Sequence, residues 1–381
     1  MKRLLLCSAA IGAIAVSAPA HAQIDVTVGG HTKNYVGWLD QDTAAAAEER
    51  SFDMLRESEL HVNAEGVADN GLVYGFHVEM EVDGGDSAGT LEESYLYLSG
   101  DWGRINAGSE NGSAYLLQVA APSADSNIDG IRQYIQPVNG TVATAAGTNI
   151  RTYLTAQYAA GGDGMDYDND ATAFAEKLTY LSPIWNGFQF GVSYTPDTGD
   201  AGSADAIVGF NADDAAGAFG EAYEGAVRYE GEFNNVGFAL GAGYTHNELE
   251  ATGAGATANF DDLHEWNIGL DLDMGPFGAG IVWTENNNGR NAGDEDQTLV
   301  LGVDYTTGPF KLGASYYTRE DEAGLAAGEH EIDRYTGGVV YTAAPGLSFR
   351  GSLSHIEHES ATAGEADVEA TSLLGGIQMN F

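Results

Sequence analysis

Apolar side chains recur at every second position along much of the chain. From Leu72 to Val82 the even positions hold Leu72, Tyr74, Phe76, Val78, Met80 and Val82, while the odd ones include Gly75, His77, Glu79 and Glu81. Period two belongs to an extended strand with one apolar and one polar face; a helix repeats at about 3.6 residues. The alternation returns as Leu60, Val62, Ala64; as Trp266, Ile268, Leu270, Leu272, Met274; as Leu299, Leu301, Val303, Tyr305; and as Leu373, Ile377, Met379, Phe381.

Turn chemistry punctuates these segments in two alternating lengths. Short connections fall at Ala68 to Gly71, Gly100 to Gly103, Pro183 to Gly187, Glu232 to Asn235, Gly275-Pro276, Gly308-Pro309 and Pro345-Gly346. Long, mostly acidic ones fall near 40–51, 83–90, 110–171, 196–221, 247–262, 285–296, 320–331 and 357–369. Seven short turns and eight long loops join sixteen strands, with both termini on the short-turn side. An even, alternating count predicts an antiparallel barrel, because closure leaves no strand edge unpaired.

Composition sharpens this picture. Gly 52 against Pro 8, with 10% aromatics, is turn-rich and strand-rich, and 43% hydrophobic residues lies far above a disordered acidic tail. A formal charge of −42 would repel phosphate backbones, so nucleic acid is excluded as a partner. Lys2 and Arg3 precede an apolar run from Leu4 to Val16, and Ala20-His21-Ala22 supplies the small residues of a cleavage site. Residues 1–22 therefore read as a secretory leader cleaved after Ala22, with the barrel occupying 23–381. The sole cysteine, Cys7, lies in the leader, so an exported chain without disulfides must draw its stability from an extensive hydrogen-bonded framework. No run after Gln23 reaches 18 apolar residues, so no helix is expected to span a bilayer.

A hollow barrel of sixteen strands with one apolar face fits a membrane, with the oily stripe toward lipid and the polar stripe toward a wet lumen. Tyr35, Tyr180, Tyr194, Tyr229, Tyr244, Tyr305, Tyr341 and Phe381 sit near strand ends, where interfacial girdles belong.

Four segments resemble the Gram-negative outer-membrane general diffusion porins, particularly those of alphaproteobacterial type. They are Ser99 to Gly108 (SGDWGRINAG), Lys177 to Asp197 (KLTYLSPIWNGFQFGVSYTPD), Val227 to Asn247 (VRYEGEFNNVGFALGAGYTHN) and the terminus Gly375 to Phe381 (GGIQMNF). The resemblance implies short periplasmic turns, long extracellular loops, a homotrimer, and a third loop folded into the lumen, which by position is 110–171. It also implies that Phe381 is read by the outer-membrane assembly machinery. No Pro-Glu-Phe-Gly motif of the enterobacterial members occurs in 110–171. Members of that family set a field across the constriction with loop acids facing wall bases. Asp125 and Asp129 are the candidate loop acids, and Arg104, Lys177 and Arg228, inward by strand parity, the candidate wall bases.

Centring the hairpin at residue 69 places His61 opposite His77, Glu59 opposite Glu79 and Glu57 opposite Glu81, all on the polar face. Like charges directly opposite are destabilising, so water, a bound cation, a shifted pKa or Arg104 should relieve them. The same six residues read as a solvated lumen wall, as a cation filter, or as a metal site. Acids dominate elsewhere too: the loops from 196 onward hold 24 Asp plus Glu against Arg290 alone, which favours cations at the mouth. Asp163, Asp166, Asp168 and Asp170 lie in a segment resembling one calcium-binding nonapeptide, and loop-bound Ca2+ is a candidate, although Ala171 and Lys177 break the EF-hand pattern.

The sequence has no Gly-x-Ser-x-Gly elbow, Walker loop or His-Glu-x-x-His, so no enzyme is expected. The expected function is passive diffusion of small hydrophilic solutes and cations through an outer-membrane channel in contact with lipid. The rivals are a substrate-selective porin, a barrel-anchored surface binding protein or adhesin, and a soluble acidic β-protein.

Overall fold

The computed structural model describes residues 24–42, 50–82, 91–139, 165–200, 216–251, 260–290, 295–321, 330–359 and 367–381. Sixteen antiparallel strands close into one barrel. They are β1 (Asp25–Gln41), β2 (Phe52–Val67), β3 (Val73–Glu81), β4 (Leu91–Gly100), β5 (Gly103–Ser109), β6 (Glu176–Leu181), β7 (Phe188–Thr195) and β8 (Phe219–Phe233). The circuit continues through β9 (Val236–Leu249), β10 (Leu263–Met274), β11 (Phe277–Asn286), β12 (Asp296–Thr307), β13 (Phe310–Asp321), β14 (His330–Ala344), β15 (Leu347–Glu359) and β16 (Val368–Asn380). Each strand pairs with its sequence neighbours, and β1 closes the ring on β16 with His31 opposite Asn380 and Gln41 opposite Ala370. The main chain of Phe381 completes the seam, exchanging two hydrogen bonds of 3.1 Å with Gly30.

The turns work as their residues dictate. Asn234 and Asn235 carry φ of 51° and 63°, the paired left-handed conformation of a two-residue hairpin turn that Asn tolerates. The β2–β3 turn differs from expectation by one residue. Ala68 N–H donates to Leu72 O and Gly71 N–H to Ala68 O, both at 2.8 Å, with Gly71 at φ +84°. That is a three-residue turn ending in a left-handed glycine, so the hairpin centres on residue 70, not 69. The true partners are Glu59 with Glu81, His61 with Glu79, and Asn63 with His77. Glu57 falls beyond the end of β3 and pairs with Lys33 of β1 instead. The six residues keep their shared face, but a histidine now faces a carboxylate rather than its like.

The apolar stripes point away from the axis. Leu301, Val303, Leu373 and Phe76 are 40%, 54%, 56% and 38% exposed, as a lipid-facing surface requires. Two aromatic belts flank that surface. One runs near the tight turns through Tyr229–Phe238, Phe277–Tyr305 and Phe310–Tyr341; the other runs toward the opposite rim through Tyr194–Tyr223 and Tyr316–Tyr335. Tyr194, Tyr229, Tyr244, Tyr305, Tyr341 and Phe381 are exposed as girdle residues should be. Tyr35 is not. Its strand's odd positions point inward, and it is 1% exposed inside the barrel.

The dry core lies inside the lumen. Val282, Val300, Tyr317, Ile332 and Ile356 on the inner wall of β11–β15 pack with Ala121, Met165 and Tyr167 from the segment between β5 and β6. A smaller cluster joins Tyr35 and Leu374 to Ile128 and Ile135. These apolar inward positions cushion a polypeptide segment and leave the rest of the lumen face polar.

Candidate functional site

The segment between β5 and β6 enters the barrel, and its described parts, 110–139 and 165–175, lie against the inner wall. Two single turns punctuate it, α1 (Ser113–Leu116) and α2 (Ser126–Asp129). The wall is prepared for it by small residues. A Cβ on Gly302 would lie 2.0 Å from Pro122 O, one on Gly313 2.6 Å from Ala124 N, and one on Gly241 2.8 Å from a Val119 methyl. These glycines form a trough on β9–β13 into which residues 117–124 settle, a close approach that any side chain would block. Gln118 then reads the returning strand: its amide donates to Tyr167 O at 2.7 Å and accepts from Asn169 N–H at 2.9 Å.

Asp125 and Asp129 lie at the inner wall and are 1% and 2% exposed. Asp125 accepts from Tyr35 Oη at 2.8 Å, Arg350 Nη1 at 2.6 Å and Ser352 Oγ at 3.3 Å. Asp129 accepts from Ser315 Oγ at 2.7 Å; burial raises its pKa above the ordinary carboxylate range, against the pull of nearby Arg334. Both carboxylates are thus committed to fastening the loop, and neither presents a bare charge to the lumen. Lys177 likewise spends its ammonium on main-chain carbonyls of Glu110, Ala173 and Ala175. Arg228 donates to Gln118 O and to Glu230, both at 2.8 Å. Arg104 donates to Asn106 at 2.6 Å and stacks 4.0 Å over the Tyr97 ring. Glu224 on β8 completes the fastening, accepting from Ala114 N–H at 3.0 Å and Thr172 Oγ1 at 2.5 Å.

Three bases that matter were not evident from the sequence: Arg350, Arg334 and Arg132. Arg334 donates to Ile128 O at 3.2 Å and lies 4.8 Å over Tyr317. Arg132 sits on the loop itself, 3.2 Å from both Asp168 Oδ2 and Asp170 Oδ2, and 4.9 Å over Tyr115. Its guanidinium lies between two of the carboxylates named as candidate calcium ligands. Burial and the neighbouring Asp170 carboxylate raise the pKa of Asp168, and Arg132 opposes them. Asp166 turns away, accepting from Gln133 N–H. Asp163 and the leader, residues 1–22, lie outside the described residues. Strand parity locates an inward arginine; which arginine a loop carboxylate meets depends on the loop's path, and no local pattern encodes that.

Most of the loop's described residues lie on the β7–β16 side of the lumen, and the loop also reaches β1 and β4: Gln41 Nε2 donates to Asn139 O at 3.1 Å and Asn111 Nδ2 donates to Glu93 at 2.8 Å. On the opposite side, β1–β4 present Glu57, Glu59, His61, Glu79, His77 and Glu93 as a ladder. His61 Nε2 lies 2.8 Å from Glu79 and 3.0 Å from Glu59, His31 Nε2 lies 2.9 Å from Glu57, and Lys33 Nζ 2.6 Å from Glu57. Lys33 also sits 3.1 Å over the Tyr134 ring, where the loop comes across the lumen. Glu81, opposite Glu59, continues the acidic row. His61, Glu79 and Glu93 keep 26%, 17% and 13% of their side chains exposed, so this wall stays wetted.

Comparison with known proteins agrees with this architecture. Residues 8–361 match the model of a family described as Gram-negative porin. Among solved structures, the anion-selective porin from Comamonas acidovorans superimposes with TM-score 0.66 at 18% identity, covering 94% of this chain and all of that one. The trimer form of OmpT, an outer-membrane protein of Vibrio cholerae, gives TM-score 0.57 at 12% identity over 94% of this chain and 99% of its own. Curated relatives are fainter: an uncharacterised protein of Rickettsia prowazekii is 26% identical over 122 residues, 30% of this chain and 27% of that protein. The chain thus spans about a quarter of the length of the curated relatives it matches. At such identities the superpositions speak for the fold. The family match over nearly the whole chain, on a sixteen-strand barrel with an apolar exterior and an infolded loop, carries the assignment: the chain belongs to the Gram-negative porin family, and its place is the outer membrane.

Proposed function

We propose that the barrel is a passive, water-filled channel for small hydrophilic solutes and ions, without catalytic turnover and with a preference for cations. The observation that carries this reading is the uneven seating of the loop's described residues. Residues 110–139 and 165–175 pack chiefly on β7–β16 and on Tyr35 and touch the β1–β4 wall at Lys33 and Glu93, while His61, Glu79 and Glu93 of that wall keep part of their side chains exposed. A partly wetted polar wall opposite a fastened loop supports a permeation path that the loop narrows.

The sign of selectivity follows from the wall. Glu57, Glu59, Glu79, Glu81 and Glu93 line β2–β4, and Lys33 is spent on Glu57. The basic side chains that meet the loop are engaged by carboxylates, carbonyls or aromatic rings. A surplus of fixed negative charge raises the local concentration of cations. The related fold in Comamonas acidovorans belongs to an anion-selective porin, so selectivity resides in side chains and not in the barrel.

Self-association as a homotrimer fits the outer surface of β1–β2. There Thr32 Oγ1 lies 2.9 Å from Ser58 Oγ and accepts from Asn34 Nδ2 at 2.9 Å, a polar patch among lipid-facing residues that a neighbouring subunit would cover. Phe381 keeps its ring exposed, available to the assembly machinery. Planar-bilayer recording tests the channel: stepwise, ohmic conductance is expected, and a folded, inserted protein that never conducts would refute it. Reversal potential in a salt gradient tests the sign separately, and a potential of anionic sign would refute the cation preference.

A further inference from the structure

We infer that the lumen wall of β1–β4 binds one divalent transition-metal ion per chain, of the zinc, copper or nickel class, through imidazoles of His31, His61 and His77. Two overlapping donor sets exist, His31–Glu59–His61 and His61–His77–Glu79, each with its ligand atoms within 4.8 Å of one another. They share His61, so one ion at a time is held.

The register that overturned the expected hairpin creates these sets. With the turn centred on residue 70, His61 lies directly across from Glu79, and β1 brings His31 across from Glu59 on the other side. Adjacent imidazoles then stand at centroid separations of 5.9 Å and 5.8 Å, with a carboxylate beside each gap. Around a zinc-like ion at 2.0–2.2 Å from N and O ligands, tetrahedral donors lie about 3.4 Å apart. The wall offers 3.0 Å and 2.8 Å from His61 Nε2 to Glu59 and Glu79, 3.7 Å from His31 Nδ1 to Glu59, and 3.7 Å from His77 Nε2 to Glu79. These values bracket the required spacing, so small side-chain rotations close either set.

His77 supplies an independent indication. Its Nδ1 lies 2.7 Å from Asn63 Oδ1, so that nitrogen carries the hydrogen and donates it. Nε2 then points toward Glu79 and Glu93 at 3.7 Å and 3.8 Å, too far for hydrogen bonds. An imidazole held through one nitrogen by an amide oxygen, with the other aimed into a carboxylate-lined gap, is the outer-shell arrangement that orients metal-binding histidines. Lys33 occupies Glu57 and leaves Glu59 and Glu79 to the imidazoles. Imidazole ligands favour zinc, copper and nickel over magnesium and calcium, which prefer oxygen. The side chains of His31, His61 and His77 are 14%, 26% and 13% exposed, so an ion arriving in lumen water reaches them.

The test uses the full barrel, purified in detergent without a histidine tag. Equilibrium dialysis should give one tightly held Zn2+ per chain that tenfold excess Mg2+ does not displace. His61→Gln, which breaks both sets, should weaken binding at least tenfold, whereas His31→Gln or His77→Gln should each leave one set working. Folding of each variant is checked by its heat-modifiable mobility. Copper EPR gives a readout that needs no change on this wall. In a His264→Ala background, which dismantles the outward His246–His264 pair stacked at 4.8 Å, Cu2+ should show coupling to at least two nitrogens. Zinc displaced equally by Mg2+, binding unchanged in His61→Gln, or an oxygen-only copper spectrum would each overturn the inference. Conductance enters none of these readouts, so failure of the channel reading and failure of the metal site are separable.

Discussion

Asp125 is the joint on which the loop's position turns, and removing it has a calculable effect. Its carboxylate, 1% exposed, accepts from Arg350 Nη1 at 2.6 Å, Tyr35 Oη at 2.8 Å, Ser352 Oγ at 3.3 Å and Asn127 N–H at 3.3 Å. Asp125→Ala strands a mostly buried guanidinium and a buried phenol, and breaking one side of a buried pair costs about 3–5 kcal/mol. Asp125→Asn keeps the shape and the neutral hydrogen bonds, losing only the charge-assisted part, about 1–2 kcal/mol. At about 1.4 kcal/mol per decade, the alanine variant should open the segment roughly a thousandfold more often and the asparagine variant about tenfold. Amide exchange reads this directly. The amides of Ile128, Tyr134 and Ile135, which donate to Asp125 O, Asn127 O and Asn127 O, should lose protection by those factors while the strand amides hold theirs. Arg350→Met should resemble the alanine variant, and the double variant should cost less than the sum of the singles. Unchanged protection over 126–135 in Asp125→Ala would refute the reasoning, because the loop would then be held elsewhere.

Three further outcomes follow from other contacts. Gly302→Val places a side chain where Pro122 O already lies, so conductance should rise as the loop is displaced, while Gly375→Val, with nothing within 4 Å, should match the parent; equal conductance in both would count against the glycine trough. Glu110, buried, has its pKa pushed up to about 7 from 4.5, so the folded chain holds a proton there that the unfolded chain loses; stability should fall as pH rises from about 4.5 to about 7 and stay level above. Glu110→Gln should abolish that slope and gain on the order of 3 kcal/mol at pH 8, read from unfolding midpoints at pH 4.5 and 8, with a parallel pH profile in both proteins counting against it. Replacing Glu59, Glu79 and Glu93 together by Gln should move the reversal potential toward zero in dilute salt and change little near 1 M, where the Debye length is about 3 Å.

Much of the barrel is legible in the sequence because each strand's period and each turn's residues are local. Leu299, Leu301, Val303 and Tyr305 declare the lipid face without reference to the rest of the chain. The lumen is less legible because its contacts are remote. Asp125 meets Arg350 across 225 positions and Asp129 meets Ser315 across 186, distances over which no spacing rule operates. Val300 and Tyr317 also mislead, since apolar residues on the inward stripe sit between outward apolar neighbours, and only the loop packed upon them accounts for their burial. Tyr35, read from the sequence as a strand-end girdle residue, lies within β1 on its inward stripe and binds Asp125. The one-residue shift of the β2–β3 register from its expected centre has a definable cause: Gly71 takes a left-handed place in the turn, which lengthens it by one residue and sets His61 opposite Glu79 instead of His77.

The direction of the two stripes is tested most directly by thiol labelling, since Cys7 is the only cysteine and lies in the segment read as the leader. Thr27→Cys places a thiol on the inner face of β1, opposite Asn63, and Val303→Cys places one on the outer face of β12. A membrane-impermeant cationic methanethiosulfonate added to an open channel should lower the conductance of the Thr27→Cys protein and leave the Val303→Cys protein untouched. Reaction at residue 303 with none at residue 27 would mean that the apolar stripe faces water, and the channel would have to be given up.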